Sequence, residues 1–206
     1  MKETSVSAPP GKRKIVQAMR GLLEERAFET ITIAEIAAEA EVTEGLLYKY
    51  FHDKRDLLHH VLREHYEMFI AGIERDLQGI DGALNKLRKI IWANIERYVN
   101  QKVFARIIML ETRNSARYFE TEAYVLVRQF IGIVDGVIKE GIAAGEIRAD
   151  LPPTLIRNAI FGAIEHSCLR LVIFNGAVST NETARLIADL IFNGIATQPK
   201  QKGGRT

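Results

Sequence analysis

Residues 32–57 read TIAEIAAEAEVTEGLLYKYFHDKRDL and contain three helix starts in close succession. Thr32, with Glu35 three residues later, has the pattern of a reciprocal capping box, and Thr43 and Asp53 begin two further helices. A helix, a tight turn and a second helix, followed at once by a new cap, have the spacing of a helix-turn-helix. The stretch therefore predicts a DNA-reading module whose second helix enters the major groove.

The second helix of this pair has an inward and an outward side. Leu47 and Phe51 lie four residues apart and would anchor it to the core. Gly45 would let a backbone approach closely, and Lys54 and the Thr32 cap would offer donors to phosphates. The predicted DNA contacts are Thr32, Thr43, Glu44, Gly45, Leu46, Tyr48, Lys49, Tyr50 and Lys54.

The net charge of the chain does not by itself identify a DNA-binding protein. The 206 residues carry a formal net charge of +2, and residues 1–60 hold nine basic and ten acidic side chains. DNA binding therefore requires the basic groups to lie together on one face. The pattern of caps also suits a plain helical bundle, and that alternative stays open on pattern alone.

The remainder of the chain also shows helical periodicity. Hydrophobic residues make up 47% and charged residues 26%, an ordinary globular balance. The 3.6-residue period predicts an all-α fold of about nine helices. Besides the short helices of residues 32–57, the predicted helices cover 12–26, 53–78, 82–100, 102–115, 119–145, 152–175 and 181–196.

Several classes of protein are excluded by what the sequence lacks. No apolar run reaches the roughly 18 residues of a membrane span, and the N-terminus has no apolar export signal. The single Cys168 excludes an intramolecular disulfide and is expected to be a small buried hydrophobe. His60 and Glu64 lie four apart, as metal ligands can, but a solvated face of the fourth helix is the interpretation that the sequence favours. We expect neither an enzyme nor a metal, cofactor or membrane partner.

Residues 32–57 closely resemble the signature of TetR-family transcriptional regulators. That signature has a Thr cap, an Ile-Ala pair, a Val-Ser/Thr turn, a Gly, Leu-Tyr, an aromatic or His, Phe, and a Lys before a Leu. The matching residues are Thr32, Ile36, Ala37, Val42, Thr43, Gly45, Leu47, Tyr48, Tyr50, Phe51, Lys54 and Leu57. Glu41 stands where the family usually has Gly. Leu46 stands where it has a small or polar residue, and would contact a thymine methyl or pack.

The resemblance implies a cytoplasmic prokaryotic homodimer that binds a palindromic operator. Under it we expect a disordered arm at 1–11, the helix-turn-helix DNA-binding domain at 12–54, a ligand-binding and dimerisation domain at 55–197, and a flexible tail at 198–206. The helix at 152–175 is apolar nearly all round, which is typical of a helix buried on more than one side. The predicted dimer interface consists of Ile160, Ile164, Leu171, Ile187, Leu190 and Ile191.

Two further segments, 111–120 and 157–165, look like TetR-family regulators of fatty-acid metabolism. Those regulators respond to long-chain acyl-coenzyme A, which would place an acyl chain in an apolar tunnel and its phosphates on arginines. The predicted ligand contacts are Trp92, Phe104, Met109, Arg113, Arg117, Phe119, Tyr124, Arg128 and Phe161, although aromatic residues at helical spacing also suit a plain core.

The predicted function is a repressor released from its operator by a small apolar effector. A drug- or xenobiotic-responsive efflux repressor of the same family, and a helical protein–protein adaptor, are the alternatives. Glu165 and His166 interrupt the most apolar stretch and would need partners if buried, either in the ligand pocket or at the dimer interface.

Overall fold

The computed structural model describes residues 8–112 and 115–196, and within these ranges the fold is all-α, as predicted. Nine α-helices are present in the described residues, and one isolated antiparallel bridge joins Ile147 to Ala196. The α-helices are α1 (Pro10–Glu25), α2 (Ile33–Glu39), α3 (Glu44–Tyr50), α4 (Lys54–Leu77), α5 (Ala83–Asn100), α6 (Lys102–Arg106), α7 (Glu122–Ala143), α8 (Pro153–Phe174) and α9 (Thr180–Ile195).

The single helix predicted over 102–115 is divided in the structure. After the five residues of α6 the chain forms a π-helix, Ile107–Glu111, and later a 3-10 helix, Ala116–Glu120. Residues 107–110 are all apolar, so the pattern contains nothing that marks where the backbone widens. A π-helix is rare and is often found at functional sites.

The described chain forms two compact units. The first unit contains residues 8–68, 110–112 and 115–127, and the second contains 69–109 and 128–196. The first turns of α4 belong to the first unit, where Leu57, Leu58 and Val61 are buried. The predicted domain division after residue 54 stays a prediction.

The core of the first unit comes from one apolar side of each short helix. Ile15 and Met19 of α1, Ile36 of α2 and Leu47 of α3 are all fully buried. Helices of seven residues, such as α2 and α3, are too short to be stable alone. They therefore depend on this shared core and on the hydrogen bonds at their ends.

The second unit is built mainly from α5, α8 and α9. The Glu146 carboxylate supplies an N-terminal cap to α5 from a distant part of the chain, accepting from the backbone N–H of Ala83 at 3.1 Å and of Leu84 at 3.2 Å. Gly141 of α7 packs tightly here, since a Cβ at this position would lie 2.6 Å from the Ala83 Cβ. Glycine is therefore required for this close approach.

Cys168 lies on the inward side of α8 and is fully buried, as the sequence predicts. Burial raises the pKa of its thiol to about 11. Across the described residues, no group of three or more His, Cys, Asp or Glu side chains is placed to hold a metal ion. Within the same ranges, no helix has both the length and the apolar character that crossing a bilayer would take.

Candidate DNA-binding interface and effector domain

The helix-turn-helix begins with the capping box predicted at Thr32. The Thr32 hydroxyl oxygen accepts from the Glu35 N–H at 3.2 Å, and the Glu35 carboxylate accepts from the Thr32 N–H at 2.8 Å. Arg26 at the end of α1 donates to the same carboxylate at 2.6 Å. Together, mainly through Arg26, these donors lower the pKa of Glu35 to about 2. The carboxylate therefore stays ionised and links α1 to α2.

The predicted cap of α3 is also present. The Thr43 hydroxyl oxygen accepts from the Leu46 N–H at 3.2 Å. On the inward side of α3, Leu47 is fully buried and Phe51 is nearly so, which confirms them as anchors. The outward side consists of exposed residues that can meet a DNA groove: Thr43, Glu44, Gly45, Tyr48 and Lys49.

Leu46 and Tyr50 lie on a different side of α3 from these exposed residues. Both are half-buried beside the first turn of α1. A Cβ at Gly11 would lie 3.0 Å from Leu46 Cδ2 and 3.8 Å from Tyr50 Cε2. The structure therefore favours packing over base contact for Leu46, whereas DNA contact by either residue stays a prediction.

Glu41 holds the turn between α2 and α3 in a backbone conformation that favours glycine. Its φ is +54°, in the left-handed region. Its carboxylate lies 3.0 Å from the Lys14 ammonium of α1, which lowers the pKa of Glu41. The Lys14–Glu41 ion pair thus joins the turn to α1 at a position where the family usually has no side chain.

Lys54 has partners that the sequence does not reveal. Its ammonium donates to the backbone carbonyls of Ile31 at 2.6 Å and Phe28 at 2.9 Å, and lies 4.4 Å from the centre of the Phe28 ring. These carbonyls are 23 to 26 residues away along the chain. No local spacing rule can therefore predict the contact.

Three residues predicted to bind ligand lie in the first unit. Arg117 Nη1 is 3.3 Å from the Asp53 carboxylate, which also accepts from the Asp56 N–H at the start of α4. Phe119 and Tyr124 pack edge to face with ring centres 5.1 Å apart. Arg113, the fourth predicted residue of this segment, lies outside the described residues.

The residues around the 3-10 helix line a small cavity against α4. The cavity has a volume of about 190 Å³, and its walls are formed by Asp56, His59, His60, Arg63, Thr121, Glu122 and Ala123. Burial, with the nearby Arg55 charge, lowers the pKa of His59. Burial, with the nearby Lys12 charge, lowers that of His60. Both shifts favour the neutral imidazole.

The other predicted ligand residues all lie in the second unit. Trp92 donates its indole N–H to the Asn181 side chain at 2.7 Å, which ties α5 to α9. Met109 is buried, Phe104 is half-buried and Arg128 is exposed. The Phe161 ring lies 5.8 Å from that of Phe130. All of these remain predictions as ligand contacts.

Sequence reasoning missed a buried cation beside this aromatic row. Phe130 also packs against Phe69, with ring centres 5.1 Å apart, and the Arg97 guanidinium lies 4.0 Å from the Phe69 ring centre. Arg97 is only 8% exposed and donates to Asn94 at 3.3 Å. The available signal was an arginine in register with the buried residues of α5. Burying a charge costs free energy unless hydrogen bonds or opposite charges compensate for the lost hydration.

The predicted dimer residues divide between the inside and the outside of the second unit. Ile160, Ile164, Leu171 and Ile187 are buried in the core of their own subunit, whereas Ile191 is half-buried. A partner subunit would therefore not meet those four side chains directly. The exposed large apolar side chains on α8 and α9 are Leu155, Ile173, Phe174, Leu186 and Leu190.

The fold and the outward face of α3 together define a helix-turn-helix DNA-binding regulator. Residues 15–61 match the model of bacterial regulatory proteins of the tetR family, and residues 62–194 match the YsiA-like C-terminal region of such proteins. The chain belongs to the TetR family. It is therefore a ligand-responsive transcriptional regulator that binds operator DNA and dimerises, as predicted. Members of this family are regulators rather than enzymes.

The relatives include regulators of fatty-acid metabolism. The chain is 26% identical over 186 residues to the Fatty acid metabolism regulator protein of Bacillus subtilis (strain 168), covering 90% of this chain and 96% of that protein. The structure of FadR from Bacillus subtilis in complex with stearoyl-CoA has a TM-score of 0.79 at 26% identity, over 89% and 98% of the two chains. FadR from Bacillus halodurans shares the fold, with a TM-score of 0.78 at 19% identity over 90% and 96%.

Proposed function

We propose that this protein is a repressor released from a palindromic operator by long-chain acyl-coenzyme A. The observation that carries the proposal is the similarity, over nine-tenths of the chain, to the Bacillus subtilis regulator whose structure contains stearoyl-CoA. The repressor would act in the cytoplasm of a prokaryotic cell, on the nucleoid while it is bound to DNA.

The chemistry of the second unit suits such an effector. The rings of Phe69, Phe130 and Phe161 form a continuous row, which offers apolar surface to an acyl chain. The Arg97 guanidinium lies at one end of that row. A cation beside an apolar wall is the pairing that an acyl thioester with an anionic head requires.

The exposed apolar residues of α8 and α9 are proposed as the dimer interface. Leu190 is 76% exposed and Phe174 is 75% exposed, which is unusual for side chains of this size. In a two-fold dimer each subunit would contribute the same α8–α9 face. Binding to a palindromic operator requires the two α3 helices of such a dimer to reach successive major grooves, about 34–36 Å apart.

The effector signal would reach α3 through α4. Within the first unit, residues 117–122 contact α4 at two points and the residue before it at a third. Tyr118 meets His59, Glu122 lies 3.5 Å from Arg63, and Arg117 meets Asp53. Residues of α4 and of α7 belong to each unit, so both helices are continuous between the units. The effector can move this equilibrium only by its difference in affinity for the two states.

A mobility-shift titration tests the proposal. The DNA just upstream of this protein's gene is titrated with the protein, with and without oleoyl-coenzyme A, and free coenzyme A and oleate serve as matched controls. We expect specific binding that only the acyl-coenzyme A releases. Binding that no acyl-coenzyme A changes, or release by a xenobiotic panel alone, would contradict the choice of effector.

Substitution of Phe161 by Ala separates the effector from the operator. Removing one ring of the row should weaken the response to oleoyl-coenzyme A about tenfold, since one large apolar contact is worth about 1.4 kcal/mol or more. Operator affinity without effector should be unchanged. Val125→Ala is the matched control because Val125 is 63% exposed and lies outside the row. Equal responses of the two variants would remove Phe161 from the effector site.

A further inference from the structure

We infer that Arg97 binds the carbonyl oxygen of the effector's acyl thioester, and so selects acyl compounds over other long-chain molecules. This role rests on the proposed function and narrows it, because it assigns one atom of the effector to one side chain of the second unit. The phosphates of coenzyme A would lie outside this buried site.

Four helices of the bundle each contribute one side chain around this guanidinium. Phe69 comes from α4, Arg97 from α5, Phe130 from α7 and Phe161 from α8, and all four belong to the second unit. The three rings form a row, with the guanidinium 4.0 Å from the Phe69 ring centre. Ligand sites of helical proteins form where side chains of facing helices meet in this way. An acyl chain lying along the row would have the cation at one end.

Contacts along α5 fix the direction in which the guanidinium points. The buried Asn94 donates its amide to the Ile90 carbonyl at 2.9 Å, and its oxygen accepts from Arg97 Nη2 at 3.3 Å. The ring centre of Tyr98 lies 5.2 Å from the guanidinium carbon. A guanidinium has five N–H donors in a planar fork, so it can serve Asn94 and an effector oxygen at the same time.

Burial decides which oxygen of the effector Arg97 can bind. Arg97 is only 8% exposed, and the multiply charged phosphates of coenzyme A would lose much hydration free energy at such a depth. One guanidinium balances only one of those charges. The thioester carbonyl is uncharged and adjoins the apolar chain, so it can enter with that chain. A hydrogen bond from a buried cation to this oxygen is strong because water does not compete for it.

A donor of this kind also discriminates among apolar ligands. A ligand that expels water from the guanidinium but offers no acceptor leaves a buried donor without a hydrogen bond, which costs free energy. Hydrocarbons and xenobiotics of equal apolar area should therefore bind more weakly than acyl thioesters.

The test uses two ligands that differ only in the carbonyl group. Oleoyl-coenzyme A is compared with S-oleyl-coenzyme A, a thioether in which a CH₂ group replaces C=O. Affinities for the full-length protein without DNA are measured by isothermal titration calorimetry, at concentrations too low for either ligand to form micelles. This measurement separates effector binding from operator release.

For the wild type we expect the thioether to bind at least about tenfold more weakly, the scale of one hydrogen bond to a charged group. In Arg97→Met the difference between the two ligands should disappear, because the donor is gone. Arg88→Met is the matched control and should keep the wild-type difference. Arg88 also lies on α5 and 5.2 Å from a ring centre, that of Phe192, but its side chain is 47% exposed.

Equal affinities of the two ligands for the wild type would overturn the inference and leave the proposed function intact, and this comparison needs no variant. A difference that survives in folded Arg97→Met would also overturn it. If both affinities then fell equally, Arg97 would act on the phosphates or on packing instead of on the carbonyl. Failure of the wild type to bind either ligand would contradict the proposed function itself, and the role of Arg97 with it.

Discussion

The helix-turn-helix and the α8–α9 pair of this regulator are held together by different forces. The seven-residue helices α2 and α3 depend on polar contacts at their ends, such as the Thr32–Glu35 box and the Lys54 ammonium. The 22 residues of α8 and the 16 of α9 pack instead through buried apolar side chains. The difference teaches that polar contacts at the helix ends add to the apolar core in holding the short DNA-reading helices, whereas the long helices of the second unit depend mainly on shape and apolar area.

The largest effect is expected from a charge placed in the apolar α8–α9 face. Leu190→Glu would place a carboxylate on the proposed interface twice, once from each subunit of a two-fold dimer. We expect the dimer dissociation constant to rise by about 100-fold or more in analytical ultracentrifugation. Lys139→Glu, an exposed change on α7, is the control. A Leu190→Glu dimer of undiminished strength would place the interface elsewhere.

Gly141→Ala tests whether shape controls the second unit. The added Cβ would lie 2.6 Å from the Ala83 Cβ and 2.7 Å from Ile147 Cδ1, so α5 or the 147 segment must move. Overpacking of this kind should lower the free energy of unfolding by about 1–3 kcal/mol in urea denaturation.

Gly136→Ala in the same helix is the matched control for that change. A Cβ at Gly136 meets nothing within 4 Å, so this variant should gain up to about 1 kcal/mol from helix propensity. Equal effects of the two alanines would show that the contact at Gly141 is not tight in solution.

Thr32→Ala sharpens the polar side of the comparison. Loss of the hydroxyl removes one half of the capping box, and we expect the unfolding free energy to fall by about 1 kcal/mol. Thr43→Ala should have a smaller effect, because the Thr43 cap shows a single accepted hydrogen bond and no returning carboxylate. Thermal melts by circular dichroism measure both, and a reversed order would contradict the importance of the box.

Low pH should weaken the Thr32–Glu35 capping box. The pKa of Glu35 is about 2 in the folded protein against 4.5 for a free carboxyl, so the folded state favours the ionised form. The stabilisation is complete above about pH 4.5 and is lost as the pH falls toward 2. Glu35→Gln should therefore flatten part of the acid transition seen in circular dichroism. An identical acid profile in this variant would exclude Glu35 as a source of the pH dependence.

Glu41→Gly is expected to have the smallest effect. Glycine would relieve the left-handed backbone at φ +54°, but it would also lose the exposed ion pair to Lys14 and gain freedom in the unfolded chain. These terms oppose each other, so the unfolding free energy should change by less than about 0.5 kcal/mol. A large loss in denaturation experiments would show that the ion pair is stronger than its exposure suggests.

The sequence predicted the local features of the helix-turn-helix well. Thr32 with Glu35, and Thr43 with Leu46, are spaced three residues apart, so their hydrogen bonds follow from the helix geometry alone. The partners of Lys54 could not be predicted in this way, because they are backbone carbonyls brought near by the tertiary fold.

The second unit was predictable in class but not in detail. Because α8 is apolar on several sides, periodicity could not tell the inward Ile160 and Ile164 from the outward Leu155 and Ile173. Arg97 was overlooked because a single arginine on an amphipathic helix normally lies at the surface. Which residues contact DNA or ligand depends on the operator and on the effector as well as on the protein. The nine predicted DNA contacts and the predicted ligand contacts therefore remain predictions.

The buried Cys168 thiol provides a built-in probe of local unfolding. With a pKa of about 11, it is nearly inert to alkylating reagents while α8 stays packed, so its alkylation rate measures how often the second unit opens. An effector that binds this unit would slow the labelling without any engineered dye. A new cysteine on the exposed face of α3 could be labelled selectively, which would allow the separation of the two DNA-reading helices to be followed in the native background.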